Sequence, residues 1–479
     1  MDRGDKCRAV HWFWLMPGVL ALGEGRMEAY SRGFASLACS SLPRNLSSAR
    51  APPFHSSADS FLGSRISIVL FSRGRRGGVG RQPLRTLFMA PRDDLEIVSG
   101  DGELRSEILH NMPTVKRGKY RAFPVIGSNR HVETVFAALY RHRPKMRFRR
   151  ECLRMIDGGT VALDWPVMGE DRDAAKWREK LPSDAPVLLF LPGLTGGSHD
   201  SYVKYLVSRV RNIGWHTVVF NSRGCSDSPV TSPKFYSASF TEDLRQVVRF
   251  VAYRFPESRI YAVGWSLGAN ILVRYLGQEG ENCILSGAVS LCNPFDLVVA
   301  DEDFRKGFNN IYDKSLATSL RTIFRKHAAL FEEIGGEYNI PLAANAKTVR
   351  QFDEGLTRVS FGYRSVDEYY ADASSSKSIE HVKVPLFCIQ AANDPIAPNR
   401  AIPRAAIKEN RNCLLVVTPK GGHLGWVAGQ NAPFRNPWTD TVVVEYLEAV
   451  ESLYRDRKSI QREQVSRKED DHVEIACAT

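Results

Sequence analysis

The stretch YAVGWSLGANILVRYLG (261–277) contains the pattern that decides the fold. An apolar run ends in Gly264-Trp265-Ser266-Leu267-Gly268, and a helix-forming pattern follows at once. A strand that turns sharply into a helix projects a side chain at the apex, and the flanking positions must be small because backbone lies close to backbone. The alternative is a small serine in a turn that happens to contain glycines. Since the pattern follows a predicted strand and opens a predicted helix, we interpret Ser266 as a nucleophile.

Apolar runs and helical patterns alternate on both sides of this stretch. The run APVLLFLPG (185–193) is continuously apolar, as expected of a strand buried on both faces, and residues 201–214 after it have helical spacing. The alternation continues as far as NCLLVVTPKGGH (412–423) and a final helical pattern over 439–456. This order predicts an α/β fold with a mostly parallel central sheet and helices on both faces.

The composition divides the chain of 479 residues into three parts. Residues 1–94 lack sustained periodicity, so we expect a disordered leader. The Ser- and Arg-rich, acid-poor composition of residues 29–90 is typical of a transit peptide and predicts a plastid (chloroplast) location; a cytoplasmic or membrane-associated location is the alternative. We expect the α/β domain over 95–455 and a charged tail over 456–479. Between about 294 and 381 the pattern becomes mostly helical, which predicts an inserted lid; additional structural helices are the alternative.

The charge and the cysteines limit the classes of partner. The formal net charge is +12, but residues 29–90 alone contain nine arginines and one acidic residue. Because the excess lies in the leader and no zinc-finger or RNA-binding signature is present, we expect no nucleic-acid partner. Nine cysteines are dispersed without a C-x-x-C pair, and this pattern argues against a disulfide framework and against a zinc site. Peripheral membrane contact and the oligomeric state stay open.

A serine nucleophile needs a base and an acid, and in this fold type they follow later strands in the order Ser, acid, His. Asp394 follows the strand-like run 385–393, and Pro395 after it disfavours helix at Asp394. Of eleven histidines, His423 follows the next strand-like run. We predict that His423 takes the proton of Ser266 and that Asp394 orients the imidazole. A turn-forming Asp-Pro pair and an ordinary loop histidine are the alternatives.

The negative charge that develops on an acyl carbonyl also needs two donors. We expect the backbone N–H of Leu267, directly after the nucleophile, and that of Leu194 in the loop LPGLTGGSH (191–199), with Thr195 as the second choice. A glycine-rich turn needed only for tightness is the alternative. Arg223, in NSRGCSDSP (221–229), could contact a substrate head group or tie loops together.

Five separated motifs occur in an order that resembles the AB-hydrolase-4 family, which includes plant embryogenesis-associated esterase-like proteins and the animal α/β-hydrolase-domain proteins one and three. The motifs are YRAFPVIGSNRHVETVFAALYRHRP, LPGLTGGSHDSYVKYLV, FNSRGCSDSP, GWSLGANILVRYLG and GGHLGW. The resemblance implies an α/β-hydrolase fold and a triad at Ser266, Asp394 and His423. It also implies hydrolysis of carboxylic esters: short-chain esters, acylglycerols or phospholipid acyl chains. Animal members usually carry an N-terminal membrane anchor, where this chain has the Ser/Arg-rich leader.

The resulting hypothesis is a serine hydrolase that cleaves acyl esters, most simply lipid-derived ones, through an acyl-enzyme and without metal or organic cofactor. Acyl transfer by the same triad is one alternative, although no H-x4-D acyltransferase pattern occurs at any histidine. A non-catalytic binding protein on the same fold is another, because fold alone does not establish function.

Overall fold

The computed structural model describes residues 93–100, 103–167, 181–333, 337–429 and 432–456. The predicted leader therefore lies outside the described residues except for its last two, Asp93 and Asp94. The predicted charged tail lies outside them after residue 456. Within the described residues, no helix is both long and apolar enough to cross a bilayer.

The strands of the described chain belong to one sheet. They are β1 (Glu96–Ser99), β2 (Arg147–Arg154), β3 (Thr160–Val167), β4 (Val187–Leu191), β5 (His216–Asn221), β6 (Ile260–Trp265), β7 (Gly287–Leu291), β8 (Leu386–Ala391) and β9 (Cys413–Thr418). Their order across the sheet is β1-β9-β8-β7-β6-β4-β5-β3-β2. The six strands from β9 to β5 are parallel, while β1, β3 and β2 pair antiparallel at the two edges. The predicted mostly parallel sheet is confirmed.

The described chain also contains helices, some of which cover both faces of the sheet. They are α1 (Glu103–His110), α2 (Pro113–Lys116), α3 (Arg130–Leu139), α4 (Ser201–Asn212), α5 (Glu242–Arg254), α6 (Leu267–Glu279), α7 (Leu297–Phe304), α8 (Asn309–Arg325), α9 (Ala328–Glu332), α10 (Ile340–Asn345), α11 (Val349–Phe352), α12 (Arg358–Ser360), α13 (Val366–Ala373), α14 (Arg404–Glu409) and α15 over 438–456. The stretch from α7 to α13 lies between β7 and β8, in the part of the chain predicted to be mostly helical.

Strand β4 shows why the central strands read as continuous apolar runs. Leu188 and Phe190 belong to an apolar core on one face of the sheet, with α4 and α15, while Val187, Leu189 and Leu191 belong to the core on the other face, with α5 and α6. All five side chains are almost fully buried. A strand buried on both faces has no position for a polar side chain, so alternation disappears.

The parallel arrangement brings residues that are distant in the sequence together at the carboxyl-terminal ends of the strands. Because β4, β6, β8 and β9 run in the same direction, the residues that follow these strands lie at the same end of the sheet. These residues include Leu194 after β4, Ser266 after β6, Asp394 after β8 and His423 after β9.

Candidate active site

Ser266 occupies the turn that joins β6 to α6. Its backbone has φ 53° and ψ −119°, a conformation that non-glycine residues rarely adopt. The turn is tight: a Cβ atom on Gly268 would lie only 2.2 Å from the carbonyl oxygen of Leu191. Only glycine fits at that position, as the sequence pattern predicts. The strained turn exposes the Ser266 side chain at the N-terminus of a 13-residue helix, where the helix dipole favours negative charge.

The hydroxyl of Ser266 lies in a chain of hydrogen-bonding groups with His423 and Asp394. The distance from Ser266 Oγ to His423 Nε2 is 3.1 Å, and His423 Nδ1 lies 2.9 Å from Asp394 Oδ2 and 3.1 Å from Oδ1. A carboxylate can only accept, so Nδ1 carries the proton and Nε2 is left to accept from the serine. His423 is 6% exposed and Asp394 5%, which removes both from most competing water.

Backbone groups fix the Asp394 carboxylate. Its Oδ1 accepts hydrogen bonds from the N–H groups of Ile396 at 2.8 Å and Ala397 at 2.9 Å, in the turn that Pro395 starts. The neighbouring Asn393 accepts from the N–H of Gly422, one residue before the histidine, at 3.0 Å. The loops after β8 and β9 are thus joined at two successive positions.

The loop after β4 reaches the nucleophile. A Cβ atom on Gly193 would lie 3.2 Å from Ser266 Cβ, so this loop passes directly beside the serine. The N–H of Thr195 already donates to the hydroxyl of Tyr236 at 2.9 Å, which favours Leu194 over Thr195 as a donor to substrate. Leu267 is the first residue of α6, where a backbone N–H has no acceptor within the helix. The oxyanion roles of Leu194 and Leu267 stay predictions.

Two comparisons with known proteins bear on the family of this chain. The alpha/beta hydrolase fold family matches residues 186–427, which is half of the chain and includes Ser266, Asp394 and His423. A relative with 65% identity over 358 residues is the Embryogenesis-associated protein EMB8 of Picea glauca, matched over 74% of this chain and 77% of that protein. The chain belongs to the alpha/beta hydrolase fold family.

Two further relatives of this α/β hydrolase have names that describe an activity. Phospholipase ABHD3 of Bos taurus is 32% identical over 319 residues, which cover 66% of this chain and 75% of that protein. Monoacylglycerol lipase of Saccharomyces cerevisiae is 32% identical over 335 residues, which cover 62% of this chain and 74% of that protein. The family resemblance seen in the five motifs is confirmed.

The helical insertion of this α/β hydrolase, from α7 to α13, packs against the loop after β4 that contains Leu194. Leu194 and Leu267 both contact an apolar cluster that the insertion supplies in large part; its buried members are Cys225, Phe235, Tyr236, Leu320, Phe324, Phe331, Ala343, Ala346, Phe352 and Leu356. The insertion is therefore in contact with the site. Whether it acts as a lid stays a proposal.

A second contact joins the insertion to helix α3. The hydroxyl of Tyr312 lies 3.0 Å from His131 Nδ1, and the His131 ring also contacts Phe308 with a centroid distance of 4.4 Å. Burial, together with the neighbouring charge of Arg130, lowers the pKa of His131 to about 4. His131 is therefore neutral near pH 7, as suits a ring packed between aromatic side chains.

Arg223 ties loops together in this α/β hydrolase. It is fully buried and forms a bidentate ion pair with the carboxylate of Asp243, with N–O distances of 2.6 and 2.8 Å. It also donates to Asp157 at 2.9 Å and to Ser232 at 3.0 Å. Its donors are directed at protein acceptors on α5 and in two loops, so the head-group alternative has no support in the structure.

Sequence reasoning missed the residues that hold the His423 loop. Thr134 and Glu133 on α3, and Arg141 just after it, all contact residues 423–427. In the sequence this region stands out only as the first of the five motifs that resemble the family. The one available signal was the dense run of polar residues in NRHVETVFAALYRHR (129–143).

Proposed function

We propose that this α/β hydrolase is a serine hydrolase that cleaves carboxylic esters through an acyl-enzyme on Ser266. One observation carries the proposal: Ser266 Oγ, the imidazole of His423 and the Asp394 carboxylate form a continuous hydrogen-bonded relay with distances of 3.1 and 2.9 Å. The relatives named phospholipase and monoacylglycerol lipase support the same reaction class.

The relay performs acylation in two steps. Ser266 Oγ attacks the acyl carbonyl carbon while its proton passes to His423 Nε2, and the carbonyl π electrons move to oxygen. The N–H groups of Leu267 and Leu194 would donate to that oxyanion. When the tetrahedral intermediate collapses, the ester C–O bond breaks and the Nε2 proton passes to the leaving alkoxide, which departs as an alcohol. Asp394 stabilises the imidazolium between the two steps.

Deacylation reverses the roles with water in place of the alcohol. His423 Nε2 takes a proton from water, the hydroxide attacks the acyl carbonyl, and the proton returns to Ser266 Oγ as the acid leaves. The sum is ester plus water giving carboxylic acid plus alcohol. All proton transfers in this scheme use Nε2, because Nδ1 stays bonded to Asp394.

The proposed substrate is a lipid-derived ester: a short-chain ester, an acylglycerol or a phospholipid acyl chain. The apolar cluster against Leu194 and Leu267 supports this class, since it places aromatic and aliphatic side chains directly beside the candidate oxyanion donors. We propose that the insertion from α7 to α13 acts as the lid over this region. Two of the relatives carry names that refer to lipid esters.

An ester panel with a serine variant tests the proposal. Purified protein is assayed on 4-nitrophenyl esters of increasing chain length, a monoacylglycerol and a phosphatidylcholine, and is labelled with a fluorophosphonate probe. We expect hydrolysis and labelling by wild type and neither by Ser266→Ala. Ser226→Ala is the matched control, because Ser226 also has a positive φ (51°) and lies in the loop after β5, another parallel strand of the same sheet. Equal labelling of wild type and Ser266→Ala would refute the nucleophile assignment.

A further inference from the structure

The loop that carries His423 has a strained backbone. Leu424 and Trp426 have φ angles of 63° and 42°, in the left-handed region that side chains with a Cβ atom rarely adopt. Two such residues within three positions do not hold this shape on their own. A strained loop persists only where surrounding contacts determine its conformation. Several of the contacts that do so here come from one segment, residues 133–141.

Three buried side chains of that segment form hydrogen bonds with the backbone of the loop. Thr134 Oγ1 accepts from the N–H of His423 at 2.8 Å, and Glu133 Oε1 accepts from the N–H of Val427 at 2.8 Å. The guanidinium of Arg141 donates to the carbonyl of Leu424 at 2.9 Å and to that of Gly425. The three side chains are at most 6% exposed, so water does not replace these bonds easily.

Thr134 acts at the histidine itself. Its hydroxyl donates to the carbonyl of Arg130 at 2.8 Å, which fixes the direction of its proton and leaves a lone pair for His423 N–H. The approach is close, since a Cβ atom on Gly422 would lie 2.7 Å from Thr134 Oγ1. Without the hydroxyl, the buried N–H of His423 would lose its acceptor.

We propose that Thr134, supported by Glu133 and Arg141, is the positioning residue for His423: it sets the backbone from which the imidazole reaches Ser266. This inference rests on the proposed function. The contact of Thr134 with the relay is its hydrogen bond with the backbone N–H of His423, so it acts through the position of that residue. Its loss should therefore slow the chemical step while substrate binding stays the same.

The test compares Thr134→Val, which has the same shape but no hydroxyl, with Thr134→Ser, which keeps the hydroxyl. With a 4-nitrophenyl ester, Thr134→Val should lower kcat by between about ten- and a hundredfold with KM within about twofold, because small misplacements of catalytic groups have effects of that size. Thr134→Ser should stay close to wild type. Thr231→Val is the control, since exposed Thr231 also donates its hydroxyl proton to a backbone carbonyl, that of Gly158 at 2.9 Å, and lies outside the insertion.

Hydrogen exchange followed by mass spectrometry gives a readout that does not depend on activity. Amides of residues 421–427 should exchange faster in Thr134→Val than in wild type or Thr231→Val. If wild type neither hydrolyses esters nor binds the fluorophosphonate, the proposed function fails while this exchange result still decides the role of Thr134. Wild-type exchange in Thr134→Val, or an equal loss of kcat in Thr134→Ser and Thr134→Val, would overturn the inference.

Discussion

Replacing Asp394 by asparagine keeps the shape of the side chain but should reverse one hydrogen bond in the relay. Oδ1 of Asp394 accepts from two backbone N–H groups, those of Ile396 and Ala397. An amide nitrogen placed there would face two donors, so the asparagine must put its oxygen at Oδ1 and its NH₂ at the position of Oδ2. That position lies 2.9 Å from His423 Nδ1. The amide would then donate to Nδ1, and the imidazole proton would move to Nε2.

A neutral imidazole that carries its proton on Nε2 cannot accept the proton of Ser266. The loss should approach the full effect of the wrong tautomer, about 10³- to 10⁴-fold in kcat, or about 4 to 5 kcal/mol in the activation barrier. The competing geometry, in which Nδ1–H donates to Oδ1 at 3.1 Å, limits the loss to this range. Folding should be nearly unaffected because the volume of the side chain does not change.

The assay measures kcat with a 4-nitrophenyl ester and the unfolding midpoint of each variant. Asp353→Asn is the matched control: Asp353 is also buried and accepts from the hydroxyl of Tyr370 at 2.8 Å, but it lies in the insertion away from His423. We expect the control to keep kcat within about threefold of wild type, because its amide keeps an acceptor for Tyr370. A folded Asp394→Asn variant with kcat within tenfold of wild type would refute the tautomer argument.

Two further predictions concern buried charges. Arg223→Met should lower the free energy of unfolding by about 3 to 5 kcal/mol, because Asp243 would be left buried without its partner. The KM of the folded enzyme should stay unchanged. Urea unfolding measures the stability and ester kinetics measure KM, and a raised KM without lost stability would support the alternative that Arg223 contacts a substrate head group. Burial raises the pKa of Glu133 to about 7. The folded state then holds this proton more tightly than the unfolded state, so the stability that Glu133 contributes is present below about pH 4.5 and is lost as the pH rises through 7. Relative to wild type, Glu133→Gln should therefore gain about 2 to 3 kcal/mol between pH 5 and pH 8 in urea unfolding, and a constant difference would contradict the pKa.

The sequence was sufficient to predict how the candidate site assembles, for a physical reason. Ser266, Asp394 and His423 each follow an apolar run that reads as a buried strand, and parallel strands place their carboxyl ends at one edge of the sheet. The structure places His423 within hydrogen-bonding distance of both Ser266 and Asp394. Their catalytic roles stay predictions until the variants are measured.

Other features depend on contacts that a single sequence does not reveal. Thr134 and His423 lie 289 positions apart, and their hydrogen bond follows from how α3 packs on the loop after β9. Strand β1 is only four residues long, EIVS, and a segment that short carries no usable alternation. Arg223 could be assigned to loop tying only when its acidic partners on α5 and in the β2–β3 turn were seen beside it.

Trapping the acyl-enzyme tests the central claim most directly. Wild-type protein is mixed with an ester that deacylates slowly, quenched in acid, and digested for mass spectrometry, with Ser266→Ala and Ser226→Ala treated in parallel. The proposed mechanism predicts an acyl adduct on the peptide that contains Ser266 in wild type and in Ser226→Ala, and no adduct in Ser266→Ala. Ester turnover with the adduct on another residue, or undiminished turnover in Ser266→Ala, would contradict it.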